Sequence, residues 1–214
     1  KQKTAYEISL GLVGSEMCIR VSHVWFLGPI IEHHAWAVLP AVGVDLIADG
    51  LSTPTAFIMA LICACLAFYS VKYIRYRVQA IYGPEEADRG HYYTIYYALY
   101  PLFSLGLVGI AFSANLIMIW FFMELLLIPF YFIMAYFGYI DRHRIALMCF
   151  MWGTVASTFF IAGAFVAYAH IGSFSIFDLP ALSGRPGAFL ACSLMTFGLL
   201  INCLLYTSPS PRDR

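Results

Sequence analysis

Glu124 stands in the middle of an apolar run, Asn115-Leu-Ile-Met-Ile-Trp-Phe-Phe-Met-Glu124-Leu-Leu-Leu-Ile-Pro129-Phe-Tyr-Phe-Ile-Met-Ala135, that holds no other charge. A charged side chain at mid-bilayer costs roughly 2.5 to 3.5 kcal/mol on insertion scales, so an ionisable group there marks a pathway or relay. Glu124 lies about nine residues into its run, roughly 13 Å deep at the helical rise. A carboxyl so placed is suited to load and release a proton, and a cation moving near it is one way to drive the exchange. A static helix-helix hydrogen bond is the alternative. Pro129 follows five residues later and removes the amide that would bond to the Leu125 carbonyl. A kink and a freed carbonyl are expected one turn past the acid, where a neighbour or cavity water can satisfy it.

Other chemistry-bearing residues carry weaker signals. Thr154, Ser157 and Thr158 either line a path or back-bond to their own helix, and the second reading is favoured. His143 and His170 fall at expected helix ends, where interfacial solvation accounts for them. Tyr92, Tyr93, Tyr96, Tyr97 and Tyr100 begin at a membrane edge, as an aromatic belt does. The six cysteines, at positions 18, 63, 65, 149, 192 and 203, form no C-x-x-C pair and no zinc spacing. They read as small membrane residues; Cys63 and Cys65 splay by about 200° around a helix. No Gly-rich nucleotide loop, nucleophile-base motif or redox-centre motif is visible, and neither a metal nor a cofactor is expected on this chain.

The elements that must position Glu124 are membrane helices. Hydrophobic residues make up 62% of the chain and charged residues 11%, with a mean hydropathy of +0.79; soluble domains run near half apolar and a quarter charged. Twelve basic residues balance twelve acidic ones, so no nucleic-acid partner follows from net charge. Apolar runs of about 20 residues, enough to cross the hydrocarbon layer, predict five helices over 51–73, 93–112, 116–138, 145–169 and 187–206. The fold class is therefore all-α, a polytopic membrane bundle occupying 51–202. Residues 21–50, with Pro29, Pro40, His33, His34, Asp45 and Asp49, read as an extramembrane loop with an interfacial segment near Trp25 and Trp36.

Loops 74–92 and 139–144, together with Lys72, hold six Lys/Arg, against only Arg185 in the loops of the other side. The positive-inside rule puts both in the cytoplasm or its equivalent, with Asp45, Asp49 and Asp178 facing outward. The short turn Ser113-Ala-Asn115 makes its two helices antiparallel neighbours. Residues 1–20 fit neither a signal peptide nor a spanning helix, and both they and residues 203–214, into which the fifth expected helix runs, read as non-native extensions resembling translated sequencing adapter. The native content is then expected to be a fragment.

Trp120-Phe-Phe-Met-Glu124-Leu-Leu-Leu-Ile-Pro129-Phe-Tyr-Phe-Ile133 resembles the F-W-E-x-x-L-x-P-x-Y-F segment of the antiporter-like subunit M (chain 4) of complex I. Ala48-Asp49-Gly50-Leu51-Ser52 resembles the same family's D-G-L-S motif, and the likeness extends from about Val42 to Leu200. It implies part of a larger antiporter-like bundle with inverted repeats and broken helices, to which this chain gives the third to seventh helices. It also implies a non-redox, proton-translocating subunit of an NADH:quinone oxidoreductase in the inner cell membrane. Its partners are other membrane-arm subunits and the lipid bilayer, with quinone and electron carriers bound by those partners. Glu124 matches the family's proton-translocating glutamate, which works with a seventh-helix lysine. The only lysines here are Lys1, Lys3 and Lys72, none in the fifth expected helix; truncation is the expected cause. A Mrp-type cation/proton antiporter subunit shares the glutamate, although Leu126-Leu-Ile-Pro-Phe-Tyr131 favours the M type. A structural membrane-arm subunit without a proton path is the third reading.

Overall fold

The computed structural model describes residues 30–32, 37–39, 42–43, 45–83, 90–139 and 141–204. The predicted extension at 1–20, that at 203–214 save its first two residues, which end the last helix, and Trp25, Trp36 and Arg89 lie outside them. Five helices follow two short strand pairs: α1 Ser52–Tyr82, α2 His91–Phe112, α3 Leu116–Phe137, α4 Arg142–Ile171 and α5 Ala188–Leu204, with a 3-10 helix at Ile176–Leu182. Among the described residues four helices, α1 to α4, are long and apolar enough to cross a membrane, whereas the apolar part of α5, Ala188–Asn202, is shorter. Five spans were predicted. Only 22 to 28% of the apolar window in each of the four is buried, so most apolar side chains keep part of their surface open to the outside, as they do where lipid or further helices replace water.

Successive helices are antiparallel neighbours whose closest approaches fall at small residues. Gly106 and Gly109 of α2 stand against Leu126 and Phe122 of α3, Gly153 of α4 against Leu127, and Gly163 of α4 against Ala191 and Met195 of α5. Small residues let helix backbones approach in membranes, where water no longer drives apolar faces together. Pro54 stands in the first turn of α1, where its fixed φ suits the helix, while Pro101 and Pro129 lie inside α2 and α3.

Two expectations for the extramembrane parts are corrected. Residues 74–92 are not all loop: α1 continues to Tyr82, α2 begins at His91, and 142–144 are the first turn of α4. The physical reason is packing, since Ile74 and Val78 are buried in a cluster with Tyr96, Tyr100 and Phe137. Those tyrosines are therefore core residues joining α1, α2 and α3, not a belt facing headgroups; the Tyr100 hydroxyl donates to the Cys63 carbonyl at 2.6 Å. At the other end, the described part of 21–50 is not featureless loop. β1 (Ile30–Glu32) pairs with β4 (Leu46–Ala48), and β2 (Ala37–Leu39) with β3 (Val42–Gly43), both antiparallel.

Arginines tie down the end of α3 that lies among the basic residues. Arg77 donates from Nε to the Phe137 carbonyl at 3.1 Å and from Nη2 to the Gly138 carbonyl at 2.5 Å, with its guanidinium 3.8 Å from the Tyr139 ring centroid. It thus satisfies carbonyls that a helix C-terminus leaves without partners and complements the helix dipole. Arg77→Ala is expected to cost about 2 kcal/mol, the usual loss for hydrogen bonds to a charged donor. Arg77→Lys restores charge but not the two-pronged geometry. Thermal midpoints of the detergent-solubilised variants should rank wild type, Lys, Ala; equal midpoints for all three would refute the capping role.

Asp49 organises the opposite end. Its Oδ1 accepts from the amides of Leu51 (3.0 Å) and Ser52 (2.6 Å), and the Ser52 hydroxyl accepts from the Asp49 amide at 3.0 Å. These bonds, the Ser52 amide foremost, outweigh burial and hold the carboxyl below its ordinary pKa. A folded pKa below the unfolded one gives stability that is present above about pH 4 and lost as pH falls through the lowered value. Asp49→Ala should remove about 1 kcal/mol, as loss of a helix cap does. The wild-type advantage over the variant should be constant from pH 6 to 7 and vanish in acid; an advantage that persists unchanged well below pH 3 would contradict it.

Candidate functional site

The helix that carries Glu124 is fixed at both ends. Its start is buried: Ser113, Ala114 and Asn115 are 5, 1 and 3% exposed. The Ala114 amide donates to the Asp45 carbonyl at 3.0 Å, the Ile176 amide to the Ala114 carbonyl at 2.9 Å, and the Leu116 amide to the Phe174 carbonyl at 3.0 Å. The Asn115 side chain caps the helix by accepting from the Ile117 amide at 2.9 Å. Its other end is held by Arg77. The 22 residues between span about 33 Å, and Glu124 lies about 13 Å from Asn115.

Around α3, Phe122 and Leu126 face α2 and Met123 and Leu127 face α4, while Phe121 and Ile128 are exposed. Glu124 shares the α4-side stripe with Leu127 and with Tyr131, whose ring packs 5.3 Å from Phe150 of α4. Glu124 is half-buried. Its Oε1 accepts a hydrogen bond from the hydroxyl of Ser157 on α4, and Ser157 is 2% exposed. Leu127 against Gly153 fixes that approach one turn away, because Gly153 has no side chain to hold the helices apart.

The three hydroxyls of α4 divide. Thr154 donates to the Phe150 carbonyl at 2.8 Å and Thr158 to the Thr154 carbonyl at 2.7 Å, the back-bonding expected of them. Ser157 also lies 3.0 Å from the Thr154 carbonyl, but its second contact is the acid. Sequence reading grouped it with its neighbours and missed it as the partner of Glu124; the available signal was that Ser157 falls on the Gly153-Ala156-Phe160 side of α4, the side packed on neighbouring helices. Pro129 is wholly buried within a continuous α3, and its missing amide leaves the Leu125 carbonyl without a helical donor. His143 is exposed at the start of α4. His170 instead packs against Gly187, and its carbonyl accepts from Arg185.

Within α2, α3, α4 and α5, every Asp, Glu, His, Lys or Arg other than Glu124 sits in a terminal turn: His91, Arg142, His143, Arg144 and His170. The arrangement is a lone carboxyl, inside a four-helix apolar layer, bonded to one buried hydroxyl. Chemically it can hold a proton or accept a hydrogen bond; among the described residues it has no partner for nucleophilic chemistry.

Comparison with known proteins agrees with this architecture. Residues 113–207 match the family described as NADH:quinone oxidoreductase/Mrp antiporter, transmembrane. The chain is 27% identical over 173 residues to NADH-quinone oxidoreductase subunit N of Desulforudis audaxviator, covering 78% of this chain and 32% of that protein. It is also 27% identical over 159 residues to subunit M of Rickettsia felis, covering 72% of this chain and 28% of that protein. The chain thus spans about a third of the length of these curated relatives, and their equal identity does not separate the M type from the N type. Among solved structures, the Mrp complex of Dietzia sp. superposes with a TM-score of 0.68 at 18% identity, over 90% of this chain and 35% of its own. The archaeal membrane-bound sulfane sulfur reductase superposes at 0.69 with 21% identity, over 91% and 38%. At those identities the superpositions establish the fold.

Proposed function

We propose that this chain, an antiporter-like membrane segment of the complex I and Mrp type, is part of a proton-translocating membrane-arm subunit of an NADH:quinone oxidoreductase. Glu124 is its intramembrane proton carrier. The observation that carries the reading is the isolation of that carboxyl: it is the one charge-bearing side chain in the inner lengths of α2 to α5, and it is hydrogen-bonded where α3 and α4 meet. Holding a charge at that depth is costly, and a group that alternates between acid and carboxylate answers the cost by moving a proton.

In this reading the chain does no redox chemistry. Electron carriers and quinone belong to partner subunits, whose electron transfer shifts charge along the membrane arm, and Glu124 takes up and gives back a proton in response. The freed Leu125 carbonyl and the half-buried carboxyl share about one turn of α3, which supports a hydrated approach to the acid. The end of the bundle with Lys72, Arg75, Arg77, Arg142 and Arg144 is cytoplasmic, and the Asp45, Asp49 and Asp178 end faces away. The names of the two curated relatives favour a quinone oxidoreductase over a sodium/proton exchanger. Proton translocation by the full-length protein bearing Glu124→Gln tests the assignment.

A further inference from the structure

We infer that Ser157 is the positioning residue of the Glu124 carboxyl and that its hydroxyl turns between two acceptors as the acid gains and loses its proton. The inference rests on the proton-carrier reading of Glu124. A serine hydroxyl has one hydrogen to donate and lone pairs to accept with. Here its oxygen lies within bonding distance of both Glu124 Oε1 and the Thr154 carbonyl. Neither acceptor carries a hydrogen when Glu124 is a carboxylate, so Ser157 then satisfies only one of them. Both contacts are made at once when the carboxyl is protonated: Glu124 donates to Ser157 Oγ, and Ser157 donates to Thr154.

The two charge states therefore differ by one proton on Oε1 and by a rotation of one hydroxyl. Ser157 keeps its own hydrogen throughout and no other side chain has to move. The Thr154 carbonyl does not depend on Ser157, because the Thr158 hydroxyl bonds to it at 2.7 Å; the rotor can leave it at little cost. Burial favours the device too. Ser157 is 2% exposed, so water does not compete for its hydrogen, and a hydroxyl left without a partner there is expensive. Among the described residues of α2 to α5, Glu124 is the one charge-bearing side chain outside a terminal turn; Tyr131 and Cys149 are the weak acids nearest in sequence to the Glu124–Ser157 crossing.

The test uses the full-length protein in its assembled complex, reconstituted in vesicles, with infrared difference spectra between protonated and deprotonated states and proton translocation measured together. The protonated C=O band that Glu124→Gln abolishes belongs to Glu124. Ser157→Ala should move that band to higher wavenumber and lower proton translocation about tenfold, the worth of one hydrogen bond to an ionisable group. Ser157→Thr should restore both. A band unmoved by Ser157→Ala overturns the positioning role even if Glu124→Gln stops translocation. Absence of any Glu124→Gln-sensitive band, with translocation intact in that variant, instead removes the carrier reading beneath it. If the alanine variant does not assemble, Ser157→Cys serves: its weaker hydrogen bond should shift the band part of the way, and an unshifted band overturns the inference.

Discussion

Glu124→Gln in the full-length protein is expected to assemble normally and to lose proton translocation by about 100-fold or more, the scale on which a positioned acid or base contributes. Glutamine has nearly the same shape, and its carbonyl can accept from the Ser157 hydroxyl as Oε1 does. The helix contacts around it, Leu127 on Gly153 and Phe122 and Leu126 on Gly109 and Gly106, are untouched. What the substitution removes is the exchangeable proton. Membrane vesicles energised through the complex, with the pH gradient and quinone reduction followed together, give protons moved per electron as the readout. Glu124→Asp keeps the proton but withdraws the carboxyl by one methylene from Ser157, so it should retain a fraction of the activity. Wild-type translocation in the assembled glutamine variant would leave a structural hydrogen bond as the role of Glu124, and with it the subunit without a proton path.

Much of this was legible in the residues. Apolar runs predicted α2 and α3 to within two residues at each end, because the hydrocarbon thickness sets the length of a run and Ser113 to Asn115 break it. Periodicity could not give the end of α1, since Arg75 and Arg77 look like a loop leaving the membrane. They remain helical because Ile74 and Val78 between them have Tyr96, Tyr100 and Phe137 to pack on, partners brought in from elsewhere in the chain. The same limit hid Ser157. Three hydroxyls within five residues look alike in sequence, and only the crossing of α3 and α4 decides which one meets the acid.

Gly198→Val is the second variant expected to have a large effect, and it acts on structure alone. A Cβ at Gly198 of α5 would sit 2.6 Å from the Ala156 carbonyl oxygen and 2.8 Å from the Phe160 amide nitrogen. Both are backbone atoms of α4, so no side-chain rotation relieves the clash. Gly163 makes the reciprocal contact, its Cβ position being 2.8 Å from the Ala191 carbonyl oxygen; the two backbones touch at both points and cannot pivot away from one alone. Overpacking of this kind costs about 3 kcal/mol, a large share of a marginal stability. Assembled protein in the membrane should fall several-fold and its thermal midpoint should drop, with Gly198→Ala between valine and wild type. Gly50→Ala is the control, because nothing lies within 4 Å of a Cβ there. Undiminished assembly of Gly198→Val would mean that α4 and α5 are not in backbone contact. Ser157 follows Ala156 directly, so forcing α5 outward also disturbs the helix that positions Glu124. Translocation per assembled complex should therefore decline in Gly198→Ala together with assembly, whereas Glu124→Gln loses translocation with assembly intact.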